Sequence, residues 1–258
     1  MDRAALDLLD EAIDIATAGG AFTLPYFRSA DLVVDGKADG TEVTAADRGA
    51  ESLIRDRIVA AFPNDSVLGE EHGTIDRDSG RTWIIDPIDG TFGFVRGVPF
   101  YATLLALVDG DGPLLGVIHL PALGQTIAAA RGEGCFADGS RCQVAGRSTV
   151  AGALINSSDW NATSEAQFGA LLGADAHMRT WGDAYGYAMV ARGEAEAMID
   201  PICSAWDLAP MPVIISEAGG TFTALDGSPR FDAGHGVATN GAIHAELLDL
   251  LSPGRSHG

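Results

Sequence analysis

Hydrophobic residues recur at helical spacing at the start of the chain. The pattern predicts one long amphipathic helix over residues 3–27, which ends near Pro25. A loop rich in Gly, Asp and Lys follows and runs through Thr41. A second helix is expected to begin at Thr44, a favourable N-cap residue. The buried face of this helix would carry Ala50, Leu53, Ile54 and Ile58.

Short apolar runs replace the helical pattern between residues 66 and 137. They are separated by glycine and aspartate turns, which is typical of strands joined by hairpins. The expected strands cover residues 82–85, 102–108, 114–120 and 126–130. This region therefore predicts a largely antiparallel sheet.

After residue 150 strand and helix patterns alternate, which indicates a layered α/β arrangement. The expected strands are 153–157, 177–180, 195–200, 221–224 and 236–239, and the helices are 165–172, 183–192, 207–219 and a last one through Leu251. Turn residues between 138 and 150 mark the expected boundary. We therefore predict an N-terminal α+β half, residues 1–145, and a C-terminal α/β half, residues 146–258.

The charge balance narrows the classes of partner. The 258 residues include 36 acidic and 16 basic ones, which gives a formal net charge of −20. Such a surface repels phosphate backbones and anionic lipids, so neither nucleic acid nor a membrane is an expected partner. The three cysteines form no CxxC pair, and the N-terminal residues do not fit a signal peptide. We therefore expect a cytoplasmic protein.

The most informative segment is an apolar strand that ends in two aspartates, Asp86 and Asp89. The intervening Pro87 restricts the backbone, and Gly90 allows the chain to approach a ligand closely. Both carboxylates can therefore converge on a hard cation such as Mg²⁺, which prefers oxygen ligands. Gly90 and Thr91 can then offer backbone N–H groups to a phosphate, more so if a helix begins there.

A purely structural interpretation remains open for each acidic residue. Asp86 and Asp89 alone are also typical of turns and caps. Two more acidic positions reduce the weight of that interpretation, because Glu70 follows a short apolar run and Asp207 stands at the head of a predicted helix. Asp207 taken alone is more typical of a cap than of a metal ligand.

Four motifs together resemble one known superfamily. They are VTAAD at 43–47, GEE at 69–71, DPIDGT at 86–91 and WDLA at 206–209. In this order and spacing they resemble the inositol monophosphatase superfamily over nearly the whole chain. The segments WGDAYGY at 181–187 and FVRGVP at 94–99 look most like the branch that hydrolyses histidinol phosphate in histidine biosynthesis.

The resemblance implies a fold, an assembly and a metal centre. The fold would be the αβαβα sandwich of the inositol monophosphatase and fructose-1,6-bisphosphatase type, and the chain would form a homodimer. Two or three Mg²⁺ ions would act on a small phosphorylated metabolite. Glu70, Asp86 and the carbonyl of Ile88 would hold one ion. Asp86, Asp89 and Asp207 would hold a second, and a third would share Glu70.

The resemblance also implies the mechanism, an in-line attack by a metal-activated water. It gives catalytic roles to Asp47, Thr91 and Glu70, with Asp47 and Thr91 orienting and deprotonating the water. Gly90 and Thr91 would bind the phosphate. Asp47 also fits a capping box that begins at Thr44, and the two roles are compatible.

Two carboxylates are candidates for substrate binding. Histidinol phosphate carries an ammonium group and an imidazole, so an acidic pocket would favour it over a neutral polyol. Asp183 stands where inositol-selective relatives have a neutral residue, and Asp200 matches an acidic position that binds substrate in the family. Asp183 could instead be the N-cap of a helix.

Some positions depart from the family pattern. Many relatives have Lys-Asn after the threonine that matches Thr91, whereas this chain has Phe92 and Gly93. Pro210 suits a first helical turn, but Pro212 would distort the next. Independently of these departures, an inositol-1-monophosphatase or a related sugar monophosphatase is the alternative enzyme. A catalytically silent protein that binds metal or phosphate is the third possibility.

Overall fold

The chain is described by a computed structural model that covers residues 3–37 and 40–252. Met1 and Asp2, which belong to the N-terminal residues that do not fit a signal peptide, lie outside the described residues. So do residues 38–39 of the predicted loop and residues 253–258 of the predicted C-terminal half. The helices are α1 (Arg3–Thr23), α2 (Ala45–Ala61), α3 (Thr91–Val95), α4 (Glu165–Gly173), α5 (Asp183–Ala191), α6 (Ala205–Leu208), α7 (Met211–Glu217) and α8 (His244–Leu251), with a 3-10 turn at Trp160–Ala162.

The strands form one large sheet, one smaller sheet and a separate hairpin. They are β1 (Val34–Gly36), β2 (Glu42–Thr44), β3 (Ser66–Gly69), β4 (Gly73–Ile75), β5 (Thr82–Asp89), β6 (Ala102–Asp109), β7 (Gly112–Leu120), β8 (Gln125–Ala130), β9 (Gly134–Ala137), β10 (Ser140–Arg141), β11 (Leu154–Ser157), β12 (His177–Arg179), β13 (Ala197–Asp200), β14 (Thr221–Thr223) and β15 (Gly236–Thr239).

The eight-stranded sheet confirms the antiparallel prediction for the first half. Its order is β10-β9-β8-β7-β6-β5-β3-β4, and only the β3–β5 pair is parallel. The five-stranded sheet has the order β12-β11-β13-β15-β14. In it β11 runs parallel to β12 and β13, whereas β15 is antiparallel to both of its neighbours.

The helices and sheets alternate in five layers. Helices α1 and α2 cover one face of the large sheet, where Ile15, Ile54 and Trp83 are fully buried in one hydrophobic cluster. Helices α5 and α7 pack between the two sheets. Helices α4 and α8 cover the far face of the small sheet, through Leu171 and Leu247. This arrangement confirms the expected αβαβα sandwich, while the division into halves at residue 145 stays a prediction.

Proline residues explain where two helix predictions were wrong. Helix α1 ends at Thr23 rather than near residue 27, because Leu24 precedes Pro25 and a residue before proline disfavours the helical conformation. The helix predicted over 207–219 is split into α6 and α7. Pro212 has no N–H to donate to the turn before it, so the chain restarts with Pro210 as the cap and Pro212 in the first turn of α7. Among the described residues, no helix has the length and apolar character needed to cross a membrane.

Candidate active site

A bulge at the end of β5 directs two carboxylates to the same side. Residues three apart on a regular strand point to opposite faces of the sheet. Strand β5 does not end at Ile85 as predicted but continues to Asp89, with a register shift against β6 between Asp86 and Asp89. The extra residue of such a bulge turns the side chains of Asp86 and Asp89 to the same face of the sheet. Thr103 fixes it by donating a hydrogen bond of 2.9 Å to the Pro87 carbonyl.

The third carboxylate of the cluster comes from the other half of the chain. Asp207 lies in the short helix α6, where its carboxylate accepts a hydrogen bond of 2.7 Å from the backbone N–H of Ser204. One carboxylate oxygen each of Asp86, Asp89 and Asp207 lies within 4.8 Å of the other two. Asp207 therefore closes a capping box and also joins the cluster, so the cap is present and the metal-binding role stays a prediction.

The cluster lines a cavity of about 430 Å³. Six of its twelve lining residues are acidic: Glu42, Glu70, Asp86, Asp89, Asp183 and Asp207. Ile88, Gly90, Thr91 and Phe92 line it as well. The structure thus brings the predicted metal ligands and phosphate-binding residues to one cavity.

Glu70 lines this cavity but already has a cationic partner. The ammonium of Lys37 lies 2.5 Å from a carboxylate oxygen of Glu70 and 2.5 Å from one of Glu71. Although burial lowers the pKa of Lys37, the hydrogen bonds to both carboxylates raise it above its usual value. Sequence reasoning missed this contact, because Lys37 lies in a loop without any periodic pattern.

Burial and mutual repulsion raise the pKa of the clustered carboxyl groups. The pKa values of Asp86 and Asp89 lie well above the usual range, first because the two groups are buried and then because negative charges surround them. Burial raises the pKa of Glu70 to about 7. The pKa of Asp207 is raised by burial too. Ionising the whole cluster requires a compensating cation, since like charges at this range repel strongly in a buried site.

Asp47 caps α2 and also contacts Thr91. One carboxylate oxygen accepts hydrogen bonds from the backbone N–H and the hydroxyl of Thr44, at 2.8 and 2.6 Å. The other lies 3.2 Å from the Thr91 hydroxyl, which is 2.8 Å from the Ile88 carbonyl. Burial raises the pKa of Asp47. The capping role predicted for Asp47 is therefore present, and it leaves the second oxygen facing Thr91.

The turn before α3 brings the cavity wall close to Asp183. Gly90 has a left-handed backbone with φ of 80°, and α3 begins at the next residue. A Cβ at Gly90 would lie 2.9 Å from a carboxylate oxygen of Asp183, so this approach requires glycine. Asp183 is not the N-cap of α5, because Gly182 occupies that position. Burial raises the pKa of Asp183.

Asp200 lies behind Asp183 rather than on the cavity wall. Its carboxylate accepts a hydrogen bond from the hydroxyl of Ser158, and that hydroxyl accepts one of 2.8 Å from the backbone N–H of Asp183. Asp200 is buried, and burial raises its pKa to about 7. The substrate role of Asp200 stays a prediction, and its contact in the structure is with Ser158, which sequence reasoning did not identify.

Phe92, one of the positions expected to depart from the family pattern, lines the cavity. Its side chain is exposed, and the guanidinium of Arg96 lies 3.4 Å from the ring centre. Arg96 is in turn held by Glu42, with a shortest distance of 2.8 Å. The cation that contacts Phe92 is therefore already paired.

Three comparisons with known proteins agree with this geometry. The model of the inositol monophosphatase family matches residues 5–253. The histidinol-phosphatase of Mycobacterium tuberculosis is 40% identical over 252 residues, which cover 94% of this chain and 97% of that protein. The histidinol-phosphatase of Streptomyces coelicolor is also 40% identical, with 96% of this chain and 97% of that protein covered.

A solved structure gives the same result for the fold. The Thermotoga maritima IMPase superposes with a TM-score of 0.87 and 30% identity, and covers 95% of this chain and 96% of that one. The resemblance inferred from the motifs is thus confirmed at the level of both sequence and fold. The chain belongs to the inositol monophosphatase family of phosphomonoesterases.

Proposed function

We propose that this protein hydrolyses histidinol phosphate with Mg²⁺ as cofactor. The observation that carries the proposal is the convergence of Asp86, Asp89 and Asp207 from two distant parts of the chain on the wall of one cavity. Buried carboxylates without a cation or a proton are unstable, so such a cluster is typical of a metal centre.

The residues of the cluster fit Mg²⁺ better than a softer metal. The donors in the cluster are carboxylate oxygens, and Glu70 and Ile88 add further oxygens to the same cavity. Magnesium prefers oxygen ligands and keeps several waters, for which the cavity leaves room. Asp86, Asp89 and Asp207 would hold one ion, and Glu70, Asp86 and the Ile88 carbonyl another. Bound there, Mg²⁺ would neutralise the phosphate and acidify a water.

The protein residues around the cluster would position the reactants. The Asp47 oxygen that faces Thr91 can accept a proton, and the Thr91 hydroxyl next to it can hold a water in line with the phosphorus. The backbone N–H groups of Gly90 and Thr91, where α3 begins, can bind phosphate oxygens. Placing these groups on the bulged strand and on two helix starts keeps their relative positions fixed.

Histidinol phosphate is the substrate that the acidic cavity wall favours. Its ammonium group and imidazole would lie near Asp183, whose carboxylate faces Gly90. Asp200 would hold Asp183 through Ser158 and so shape the same wall. The histidinol-phosphatases that are 40% identical to this chain support this choice over a polyol phosphate.

A panel of phosphomonoesters tests the proposal. Phosphate release from histidinol phosphate and from inositol 1-phosphate is measured with Mg²⁺, and with a chelator as control. We expect release from histidinol phosphate to be at least about tenfold faster in kcat/KM and to stop without the metal. The reverse preference would favour the inositol monophosphatase alternative. No activity on any phosphomonoester would favour a silent protein that binds metal or phosphate.

We also propose a cytoplasmic homodimer. Cys135 and Cys142 are free thiols with their sulfur atoms 3.4 Å apart, and Cys203 is free as well, which supports a reducing compartment. The homodimer rests on the family resemblance alone. Light scattering of the purified chain tests the dimer directly.

A further inference from the structure

A carboxylate outside the cavity is attached to the backbone that carries Glu70. Glu51 lies on α2, one helical turn after Asp47, and its side chain is fully buried. One of its oxygens accepts a hydrogen bond of 2.6 Å from the backbone N–H of Glu71. The other accepts one of 3.0 Å from the N–H of His72. The two residues that follow Glu70 are therefore both bound to Glu51.

Glu51 supplies hydrogen-bond acceptors to a tight hairpin turn. Strands β3 and β4 pair up to Gly69 and Gly73, and residues 70–72 form the turn between them. Residues 70 and 71 are half-buried, and a backbone N–H that is partly shielded from water needs an acceptor, because an unpaired one costs free energy. The Ile85 carbonyl of β5 accepts the N–H of Glu70, and Glu51 accepts the next two, so the end of the turn after Glu70 depends on Glu51.

The close approach of Glu51 also explains a glycine in the motif. A Cβ at Gly69 would lie only 2.1 Å from a carboxylate oxygen of Glu51, so any other residue would displace that carboxylate. Arg55 balances its charge with a hydrogen bond of 2.7 Å, and also donates to the carbonyl of Gly73 at the far end of the turn. Glu51 and Arg55 together thus hold the turn over residues 70–73.

We propose that Glu51 is a positioning residue for the candidate metal centre. It fixes the turn that presents the Glu70 carboxylate to the cavity, and because it shares α2 with Asp47 it sets the position of Glu70 relative to that residue. The inference rests on the proposed Mg²⁺ centre. Its consequence is specific: loss of the Glu51 carboxylate should weaken metal binding more than it slows turnover at saturating metal.

The test uses Glu51→Gln together with a matched control. Glutamine keeps the shape of the side chain but places an NH₂ donor against at least one of the N–H groups that Glu51 now accepts. Asp65 is the control, since it is also buried, paired with an arginine (Arg81) and located at the opposite end of β3, away from Glu70. Asp65→Asn should therefore share the loss of stability but not the loss of metal binding.

Three quantities are measured for each protein: Mn²⁺ and Mg²⁺ binding by calorimetry without substrate, the Mg²⁺ concentration for half-maximal phosphate release, and the melting temperature in chelator. For Glu51→Gln we expect both metal constants to weaken by about tenfold or more, while kcat at saturating Mg²⁺ falls less than about threefold. For Asp65→Asn we expect unchanged metal constants.

Equal metal constants in wild type and a folded Glu51→Gln protein would overturn the inference and leave Glu51 a structural role only. Gly69→Ala is the second variant in case Glu51→Gln does not fold, because its methyl group displaces the same carboxylate and should weaken metal binding in the same way. A wild type that binds metal but releases no phosphate would refute the proposed function, and the calorimetric comparison would still decide the role of Glu51.

Discussion

The carboxylate of Asp47 lies 3.2 Å from the hydroxyl of Thr91, although 44 positions separate the two residues. The contact joins the start of α2 to the start of α3 across the cavity wall. Its geometry leaves one oxygen of Asp47 for the helix cap and the other for Thr91. The two functions of Asp47 can therefore be separated by substitution.

Asp47→Asn should lose activity while the protein stays folded. The amide can still accept a hydrogen bond at the cap, but it cannot accept a proton from water. We expect kcat to fall by about 100-fold or more, because general base catalysis typically contributes that much. The free energy of unfolding should fall by about 1 kcal/mol, as for other weakened caps. Phosphate release and urea unfolding are the measurements.

Thr44→Ala is the control for that prediction. It removes the capping hydroxyl and one hydrogen bond to Asp47, but the carboxylate remains and keeps its bond from the Thr44 N–H. It should therefore cost about 1 kcal/mol of stability with less than about a tenfold change in kcat. If Thr44→Ala and Asp47→Asn lost activity to the same degree, Asp47 would act through the cap alone.

Asp89→Asn should remove metal-dependent turnover without damaging the fold. Asp89 accepts a hydrogen bond of 2.6 Å from the backbone N–H of Ala184, and the carbonyl oxygen of asparagine can keep that bond. Burial and the charges of Asp183 and Asp207 raise the pKa of Asp89, so removing its charge should not lower the melting temperature in chelator. We expect kcat with Mg²⁺ to fall by at least about 100-fold.

Thermal melting with and without Mg²⁺ gives a second readout for Asp89. A ligand at about 100 times its Kd stabilises a folded protein by about 2.7 kcal/mol, so Mg²⁺ should raise the melting temperature of the wild type. The rise should be smaller for Asp89→Asn and unchanged for the exposed Asp14→Asn. An equal rise in all three proteins would show that Asp89 does not bind the metal.

The order of elements could be predicted from the sequence because periodicity reports which side chains are buried. The strands from 102 to 130 and the alternating second half appear in the structure close to their expected positions. What the pattern could not show is the bulge at Pro87 and Ile88. A one-residue change of register leaves no periodic signal, yet it decides that Asp86 and Asp89 face the same way.

Contacts between polar side chains that are remote along the chain also could not be predicted from a single sequence. The ion pair of Lys37 with Glu70 depends on how the β1–β2 hairpin folds over the cavity, which no local pattern records. Glu51 did leave a signal, since it lies on the same helical face as Ile54 and Ile58, where a charged residue is unexpected. A buried charge among apolar positions indicates a specific partner.

Stability of the metal-free protein should fall as the pH rises, and Asp200 should account for part of the fall. Its pKa is about 7 in the folded protein because it is buried, against about 4 in an unfolded chain. The folded state therefore holds this proton more tightly, so the contribution of Asp200 is fully present below about pH 4 and is lost as the pH rises through about 7. The loss amounts to about 4 kcal/mol.

Urea unfolding in chelator from pH 4 to pH 8 measures this dependence. Asp200→Asn cannot ionise, so its free energy of unfolding should fall less over that range than that of the wild type. The exposed Asp7→Asn should follow the wild type. Parallel curves for Asp200→Asn and wild type would mean that Asp200 is not protonated in the folded protein near neutral pH.

Asp183→Asn should change substrate preference rather than general activity. Asp183 has a positive φ of 52°, and asparagine tolerates that conformation about as well as aspartate, so the backbone should not move. The variant loses the charge that would attract the ammonium and imidazole groups of histidinol phosphate. We expect kcat/KM for histidinol phosphate to fall by about 10- to 100-fold, and that for inositol 1-phosphate by less than about threefold.

Asp175→Asn is the matched control for Asp183. Asp175 also has a positive φ, of 60°, but it is exposed and does not line the cavity. Its substitution should therefore leave kcat/KM unchanged for both substrates. Comparable losses on both substrates for Asp183→Asn would assign its charge to the metal cluster, since Asp89 lies close enough for its pKa to be raised by Asp183. If kcat/KM falls only for histidinol phosphate, Asp183 recognises the cationic groups of the substrate and does not act through the metal.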